Sequence, residues 1–79
     1  MGTYKSIIGS RIKQMRKEKG LTQQELAKLL GLAHKSTIAN YEKGYSIPKD
    51  EVKIELCKLF CCSFDYLMTI TDEREGING

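Results

Sequence analysis

The strongest constraint in this sequence is the signal for one short helix between two glycines, Gly20 and Gly31. The side chain of Thr22 can accept a hydrogen bond from the backbone N–H of Glu25, while the Glu25 carboxylate accepts one from the N–H of Thr22. This reciprocal capping box predicts a helix that begins at Gln23 and runs for about eight residues. Because so short a helix is unstable alone in water, it must pack against other elements.

Apolar residues recur at helical spacing along the rest of the chain, and no run of strict alternation predicts a strand. We therefore expect an all-α fold of five short helices. The segments are helix 1 from about Ser6 to Lys19, the capped helix 2, helix 3 from about Lys35 to Lys43, helix 4 starting at Asp50, and a last helix capped by Ser63. The side chains expected to face the core include Ile8, Ile12, Met15, Leu26, Leu29, Leu30, Ile38, Tyr41, Val52, Leu56, Leu59 and Phe60.

The chain of 79 residues is long enough for one domain and too short for two. We expect the folded domain to span residues 6–70 and residues 71–79 to form a polar tail. No stretch approaches the roughly 18 apolar residues that cross a bilayer, and the N-terminus lacks the apolar core of a signal peptide. The sequence therefore predicts a cytoplasmic protein with no membrane partner.

Charge is distributed unevenly, although the net value of +3 is small. Residues 1–49 contain ten Lys and Arg against three acids, whereas residues 50–79 contain three Lys and Arg against seven acids. A chain with one basic half can present a positive side to an anionic partner, and nucleic acid is the foremost candidate. Ordinary solvated charge is the alternative interpretation.

Three cysteines lie within six positions of one another, Cys57, Cys61 and Cys62. Their odd number and close spacing cannot make a disulfide framework that links distant segments. A zinc site lacks a fourth ligand at a suitable spacing, because His34 is far away in sequence. We therefore expect reduced, buried, structural thiols, and neither a metal, a cofactor nor catalytic residues. An enzyme is not expected.

Helix 3 has an informative polar face. With about 100° of rotation per residue, four of its side chains fall within an arc about 100° wide. They are Ser36, Ala39, Asn40 and Lys43, with Thr37 on the flank and Lys35 at the N-terminal end. A solvated helix more often carries Glu/Lys pairs at such positions, whereas this face offers an amide, two hydroxyls, a methyl and two ammonium groups.

Several motifs occur in a characteristic order along the chain. They are Ile12, Arg16, Gly20-Leu21-Thr22-Gln23-Gln24-Glu25-Leu26-Ala27, Ile38, Tyr41-Glu42-Lys43-Gly44, Pro48 and Ser63-Phe64-Asp65-Tyr66-Leu67. In this arrangement the chain resembles the phage Cro/repressor, or xenobiotic-response-element, helix-turn-helix family. The resemblance covers about residues 8–68, which is most of the chain.

The resemblance implies a compact five-helix, lambda-repressor-like domain in which helix 2 crosses the DNA backbone and helix 3 enters the major groove. It implies a sequence-specific transcriptional regulator of double-stranded DNA, and we expect a repressor. Gln23 matches a position whose amide touches phosphate and supports the recognition helix. Arg16 and Glu42 match an ion pair that joins helix 1 to helix 3, which we interpret as structural.

Lys35, Ser36, Thr37 and Asn40 match the family positions that meet base edges and flanking phosphates. The full set of residues that we expect to contact DNA is Gln23, Gln24, His34, Lys35, Ser36, Thr37, Ala39, Asn40, Lys43 and Tyr45. Asn40 is suited to bidentate pairing with adenine, and Lys35 to the acceptors of guanine. Ala39 can lie against a thymine methyl. Lys43 and Tyr45, where the chain leaves helix 3, are better placed for phosphate than for a base. For any one of these residues, the alternatives to base contact are phosphate contact or no contact with DNA.

The turn before helix 3 departs from the family pattern. Six residues separate Gly31 from Ile38, where the family usually has five. The turn is therefore predicted to be one residue longer, which leaves the cap of helix 3 open among Ala33, His34 and Lys35. His34 is then a phosphate ligand, a residue of the cap region or a solvent-exposed side chain.

One recognition helix makes few base contacts, whereas a twofold dimer doubles them across half-sites about 34 Å apart. We therefore expect a homodimer. The candidate interface residues are Phe64, Met68 and Ile70, with the intramolecular core as the alternative location. No small-molecule ligand is evident. The alternative function is a protein-interaction module, such as an antitoxin or anti-repressor, whose main surface is the acidic second half.

Overall fold

The computed structural model describes residues 4–69 and residue 74. Its five helices are α1 (Tyr4–Glu18), α2 (Gln23–Leu29), α3 (Lys35–Lys43), α4 (Asp50–Phe60) and α5 (Phe64–Leu67). Since the described part of the chain contains no strand, the all-α, five-helix prediction is confirmed. Helix α1 begins two residues earlier than predicted and ends one residue earlier. Ile70 and the predicted tail lie outside the described residues, apart from Arg74.

The start of α2 is built as the sequence predicts. The N–H of Glu25 donates to Oγ1 of Thr22 at 3.0 Å, and the N–H of Thr22 donates to Oε1 of Glu25 at 2.8 Å. The backbone hydrogen bond from Thr22 lowers the pKa of the Glu25 carboxyl, because it favours the charged form. The capping box is therefore confirmed, and it fixes where the chain enters α2.

The core is formed where α1 and α3 pack together with the inner sides of the other helices. The side chains that are almost fully enclosed are Ile8, Ile12, Met15, Leu26, Ile38, Leu56 and Leu67. Val52 and Leu59 of α4 are half-buried and pack against this cluster. No helix within the described residues is long and apolar enough to cross a membrane.

Leu29 does not face the core, and the prediction that it does is wrong. Its side chain is 59% exposed, whereas Leu26 and Ala27 are buried. The side of the short helix α2 that carries Leu26 and Ala27 faces α3. Leu29 lies about 60° around the helix from that side. It borders instead a shallow groove beside Leu59 of α4.

Helices α1 and α3 approach each other at Gly9. An ideal Cβ placed on Gly9 would lie 2.7 Å from the carbonyl oxygen of Glu42 and closer still to that of Tyr41. Both neighbours are main-chain atoms, which cannot rotate away as the end of a side chain can. The missing side chain at Gly9 therefore allows α3 to rest directly on α1.

The end of α3 is fixed by a second glycine. Gly44 has φ +79°, in the left-handed region where a Cβ is unfavourable. A Cβ there would also lie 3.0 Å from the Cα of Ser6 in α1. Gly9 and Gly44 together hold the C-terminal half of α3 close to the first turns of α1.

The cysteines do not share one environment. Burial raises the pKa of the Cys57 thiol to about 12 and also raises that of Cys62. Cys61 is exposed, so the prediction of three buried thiols is wrong at this position. The reason is its place at the end of α4, where φ of +54° turns the chain and leaves the side chain in solvent.

The last helix packs on α1. Ser63 caps α5, accepting a hydrogen bond from the N–H of Tyr66 at 3.0 Å. The Arg11 guanidinium of α1 lies 4.1 Å from the centroid of the Tyr66 ring, a cation–π contact. Arg74 pairs with Glu18 at the end of α1, and its carbonyl oxygen accepts a hydrogen bond from the N–H of Ser63 at 2.6 Å. α5 is thereby fixed against α1.

Candidate nucleic-acid interface

Helix α3 divides into a buried side and an outer face. Ile38 is fully buried and Tyr41 nearly so, which anchors the helix to the core. The outer side chains predicted to contact DNA are exposed at Lys35, Ser36, Asn40 and Lys43, and half-buried at Thr37 and Ala39. The structure thus brings these six positions together on a surface that solvent reaches.

The charge of this outer face is positive. Glu42, the single acid in α3, is directed toward α1 rather than to the outer face. Lys35 and Lys43 remain exposed at the two ends of the helix. The face therefore combines cations with hydrogen-bonding side chains, which is the chemistry needed beside phosphates and base edges.

Glu42 joins α3 to α1. The Nε of Arg16 donates to Oε2 of Glu42 at 2.6 Å, and Nη2 donates to Oε1 at 3.1 Å. The two side chains are only 10% and 4% exposed. The pair is bidentate and shielded from water. It is important for stability because removing either side chain would leave the charge of the other buried and unpaired.

The same pair also holds the start of α2. The Nε2 of Gln23 donates to Oε1 of Glu42 at 3.0 Å, and Nη1 of Arg16 donates to the carbonyl oxygen of Leu21 at 2.7 Å. Three helices therefore meet at one carboxylate. Gln23 is in position to support α3, while the next residue, Gln24, is exposed.

The turn into α3 contains residues 30–34, and His34 occupies the N-cap position. Its side chain makes no capping hydrogen bond, although its carbonyl oxygen accepts one from the N–H of Thr37 at 3.2 Å. Of the three cap residues that the sequence left open, the structure selects His34. The imidazole is exposed beside the first turn of α3.

The chain leaves α3 through Gly44 and presents Tyr45 to solvent. The Tyr45 side chain is 71% exposed, and the Nζ of Lys43 lies 5.8 Å from the centroid of its ring. The aromatic ring and the ammonium group thus lie side by side where the chain leaves α3. Lys43 and Tyr45 therefore extend the outer face beyond the helix.

A cleft between α2 and the start of α3 contains residues that sequence reasoning missed. Lys28 of α2 lines it together with His34 and Lys35, and the cleft volume is about 640 Å³. Lys28 lies one helical turn after Gln24. That i, i+4 spacing from a predicted contact residue is the signal that could have included it.

Two of the predicted interface residues, Phe64 and Met68, lie at the start of α5 and directly after its end. Phe64 is 43% exposed, and Met68 is half-buried. The Oη of Tyr4 in α1 lies 3.9 Å from the Met68 Sδ, so this exposed tyrosine, 46% of which is accessible, extends the apolar surface. Ile70, the third predicted residue, lies outside the described residues.

Within residues 4–69 and at residue 74, no three His, Cys, Asp or Glu side chains are grouped so that they could hold an ion.

Comparison with known proteins places these features in a family. A family model described as "Helix-turn-helix" matches residues 12–67. The transcriptional regulator ImmR of Bacillus subtilis is 34% identical over 61 residues, which cover 77% of this chain and 47% of ImmR. The regulator AnsR of the same organism is 43% identical over 58 residues, covering 73% of this chain and 49% of AnsR. The chain thus spans about half the length of these two curated relatives.

Solved structures with the same fold include DNA-binding domains. The P22 c2 repressor, solved in complex with synthetic operator 9T, matches with a TM-score of 0.72 and 33% identity, covering 77% of this chain and 91% of that one. The N-terminal DNA-binding domain of SinR from Bacillus subtilis matches with a TM-score of 0.70 and 34% identity, covering 80% and 91%.

Proposed function

The chain belongs to the helix-turn-helix family of the Cro/repressor type, and on that premise we propose that it is a sequence-specific, DNA-binding regulator of transcription. The observation that carries the proposal is the outer face of α3, which exposes Lys35, Ser36, Asn40 and Lys43 while its only acid is turned inward. The likeness to a repressor solved on its operator favours repression. Such a regulator works where the DNA is, which we take to be the cytoplasm.

In this proposal α3 lies in the major groove with its outer face against the base edges. Asn40 pairs with adenine through its amide, and Lys35 donates to O6 and N7 of guanine. Ala39 lies against a thymine methyl. Lys43 and Tyr45, together with Gln23 and Gln24 at the start of α2, hold the phosphates on either side. No step of this function calls for enzymatic chemistry.

Loss of sequence discrimination is the first expected result. A binding sequence is obtained by selecting bound duplexes from a random pool, and mobility shifts then compare it with random DNA. Asn40→Ala removes a bidentate base contact worth about 1–3 kcal/mol, so its affinity for the selected duplex should fall about 5- to 150-fold. Its affinity for random DNA should change less than about twofold, because phosphate contacts remain.

Lys58→Ala is the matched control, because Lys58 is an exposed residue of α4 paired with Glu55. It should leave both affinities nearly unchanged. Equal losses of Asn40→Ala on selected and random DNA would refute base reading by Asn40. An affinity of the unaltered protein that does not respond to salt would refute DNA binding altogether, and would favour the protein-interaction module.

We also infer that the protein binds DNA as a homodimer through the apolar surface formed by Tyr4, Phe64 and Met68. The exposed aromatic rings on α1 and α5 support this, because exposed aromatic residues are typical anchors of interfaces. Ile70 follows Met68 in sequence and remains part of the predicted interface. Twofold pairing would present two copies of α3 to successive major grooves.

Placing a charge on this surface should separate the subunits. Phe64→Asp is expected to raise the dimer dissociation constant at least about tenfold, because truncation of an interface anchor commonly costs 2 kcal/mol or more. Sedimentation equilibrium measures the change. Leu29→Asp is the matched control, since Leu29 is 59% exposed on α2 and outside the proposed interface. A dimer that tolerates Phe64→Asp as well as Leu29→Asp must use another surface.

A further inference from the structure

Cys57 and Cys62 meet in the turn that ends α4. The N–H of Cys62 donates to the carbonyl oxygen of Cys57 at 3.1 Å, and Cys61, within the turn, has φ +54°. A left-handed residue followed by such a hydrogen bond is typical of the Schellman ending of a helix, in which the side chains at the two bonded positions commonly touch. The turn therefore brings Cys57 and Cys62 together and leaves Cys61 exposed.

The thiols of Cys57 and Cys62 are in direct contact, because they share a hydrogen bond. Burial is the main cause that raises the pKa of both thiols, to about 12 for Cys57. The hydrogen bond raises the pKa of Cys57 further, whereas it opposes the rise at Cys62, as does the positive charge of Arg74. Cys62 is therefore the thiol of the pair that ionises more readily, and the thiolate is the nucleophile.

We propose that Cys57 and Cys62 are a site of reversible oxidation, at which hydrogen peroxide joins them in an intramolecular disulfide. Two sulfurs that already share a hydrogen bond need only a small movement to reach the S–S bond length of about 2.05 Å. Hydrogen peroxide suits the site because Cys62 is only 8% exposed and a larger oxidant would meet the exposed Cys61 first. Disulfides in reducing compartments are usually transient, and a reversible link agrees with this.

The oxidation has two steps. The Cys62 thiolate attacks one oxygen of the peroxide, the O–O bond breaks, and Cys62 becomes a sulfenic acid. The other oxygen leaves as hydroxide and takes up the proton that Cys62 released, which gives one water. The Cys57 sulfur then attacks the Cys62 sulfur, so the S–S bond forms, the S–O bond breaks, and hydroxide leaves with the Cys57 proton as a second water. Two electrons pass from the thiols to the peroxide, and a dithiol reductant reverses the link.

The disulfide joins the end of α4 to the start of α5. Cys62 directly precedes Ser63, the N-cap of α5, and the ring centroid of Phe64 lies 5.9 Å from Nζ of Lys53 in α4. Because the S–S bond is shorter than the contact between two thiols, its formation draws the start of α5, with Phe64, toward α4. Oxidation thus withdraws an anchor from the proposed dimer surface and weakens the homodimer. This consequence rests on the proposed function, whereas the disulfide itself does not.

The first experiment identifies the oxidised cysteines. The reduced full chain is treated with hydrogen peroxide, the remaining thiols are blocked with N-ethylmaleimide, and the chain is cleaved after Lys58. That cut separates Cys57 from Cys61 and Cys62, so the disulfide appears as two joined peptides. We expect Cys61 to be the one blocked thiol in the oxidised chain, and all three cysteines to be blocked after treatment with dithiothreitol.

Cys61→Ser is the matched control, because it removes the exposed neighbouring thiol, and it should form the link to the same extent as the unaltered protein. Cys62→Ala and Cys57→Ala should each abolish the link. Both put a small apolar side chain in place of the thiol, and circular dichroism checks that each variant folds. Three free thiols after peroxide, a link to Cys61, or a disulfide between two chains would each overturn the proposal.

The second experiment compares sedimentation equilibrium of reduced and oxidised Cys61→Ser. Oxidation should raise the dimer dissociation constant at least about threefold, a part of the change expected when an interface anchor is lost entirely. Cys61→Ser combined with Cys62→Ala, treated with peroxide in the same way, should keep its dissociation constant. Equal constants for the two forms of Cys61→Ser overturn the link to dimerisation. If the reduced protein is a monomer, the proposed dimer fails, while the joined peptides still decide whether the disulfide forms.

Discussion

Replacing Glu42 with alanine is expected to lower the free energy of unfolding by about 3–5 kcal/mol. The substitution leaves the Arg16 guanidinium without its carboxylate at a site where the side chain is only 10% exposed. It also removes the acceptor of Gln23. A chain of this length has a total stability of about 4–12 kcal/mol, so the loss takes a large part of it.

Chemical denaturation measures this loss, with Glu51→Ala as the control because Glu51 is an exposed carboxylate on α4. The control should change stability by no more than about 0.5 kcal/mol. The double variant Arg16→Met with Glu42→Leu should recover most of the loss, because apolar side chains of similar size can replace a buried ion pair. If Glu42→Ala is no more harmful than Glu51→Ala, the pair does not stabilise the fold.

Gly9→Ala is expected to be destabilising by about 3 kcal/mol, although alanine is the better helix former. Helix propensity alone predicts a gain of about 1 kcal/mol in the middle of α1. The new methyl group, however, would lie 2.7 Å from the Glu42 carbonyl oxygen and closer to that of Tyr41, so α1 and α3 must separate. Overpacking of this kind typically costs 1–3 kcal/mol, and more where the neighbour is rigid.

The sign of the change in the free energy of unfolding shows whether helix propensity or the steric overlap with α3 dominates. Ser10→Ala is the matched control, because it adds alanine at the next, exposed position of α1. It should be neutral or slightly stabilising in thermal and chemical unfolding. A Gly9→Ala variant as stable as Ser10→Ala would show that α3 does not need this close approach.

Local signals in the sequence were sufficient to predict most of the helices. Thr22 and Glu25 lie three residues apart and satisfy each other's backbone groups, so the start of α2 follows from neighbouring residues alone. Ser63 sets the start of α5 with a single side-chain cap, which accepts a hydrogen bond from the N–H of Tyr66. The outer face of α3 could also be predicted, because helical geometry determines which side chains lie opposite Ile38 and Tyr41.

Features that depend on distant contacts were not predictable in the same way. Leu29 is apolar and helical, and only the direction from which α3 packs on α2 leaves it exposed. The cleft residue Lys28 gains its neighbours from the turn and from α3. Gly9 offered one unused clue, since a glycine inside a helix costs stability and often marks a close approach of two backbones.

Because of the contact at Gly9, the residues that hold α3 in place are different from the exposed residues of its outer face. The helix rests on α1 through main-chain atoms and is anchored by Ile38 and Tyr41, while Ser36 and Asn40 lie on the exposed side. Substitutions at those exposed positions leave the supporting contact in place. Under the proposed function, new target sequences are therefore accessible through a few changes on the outer face, which would make the domain a suitable scaffold for library selection of altered specificity.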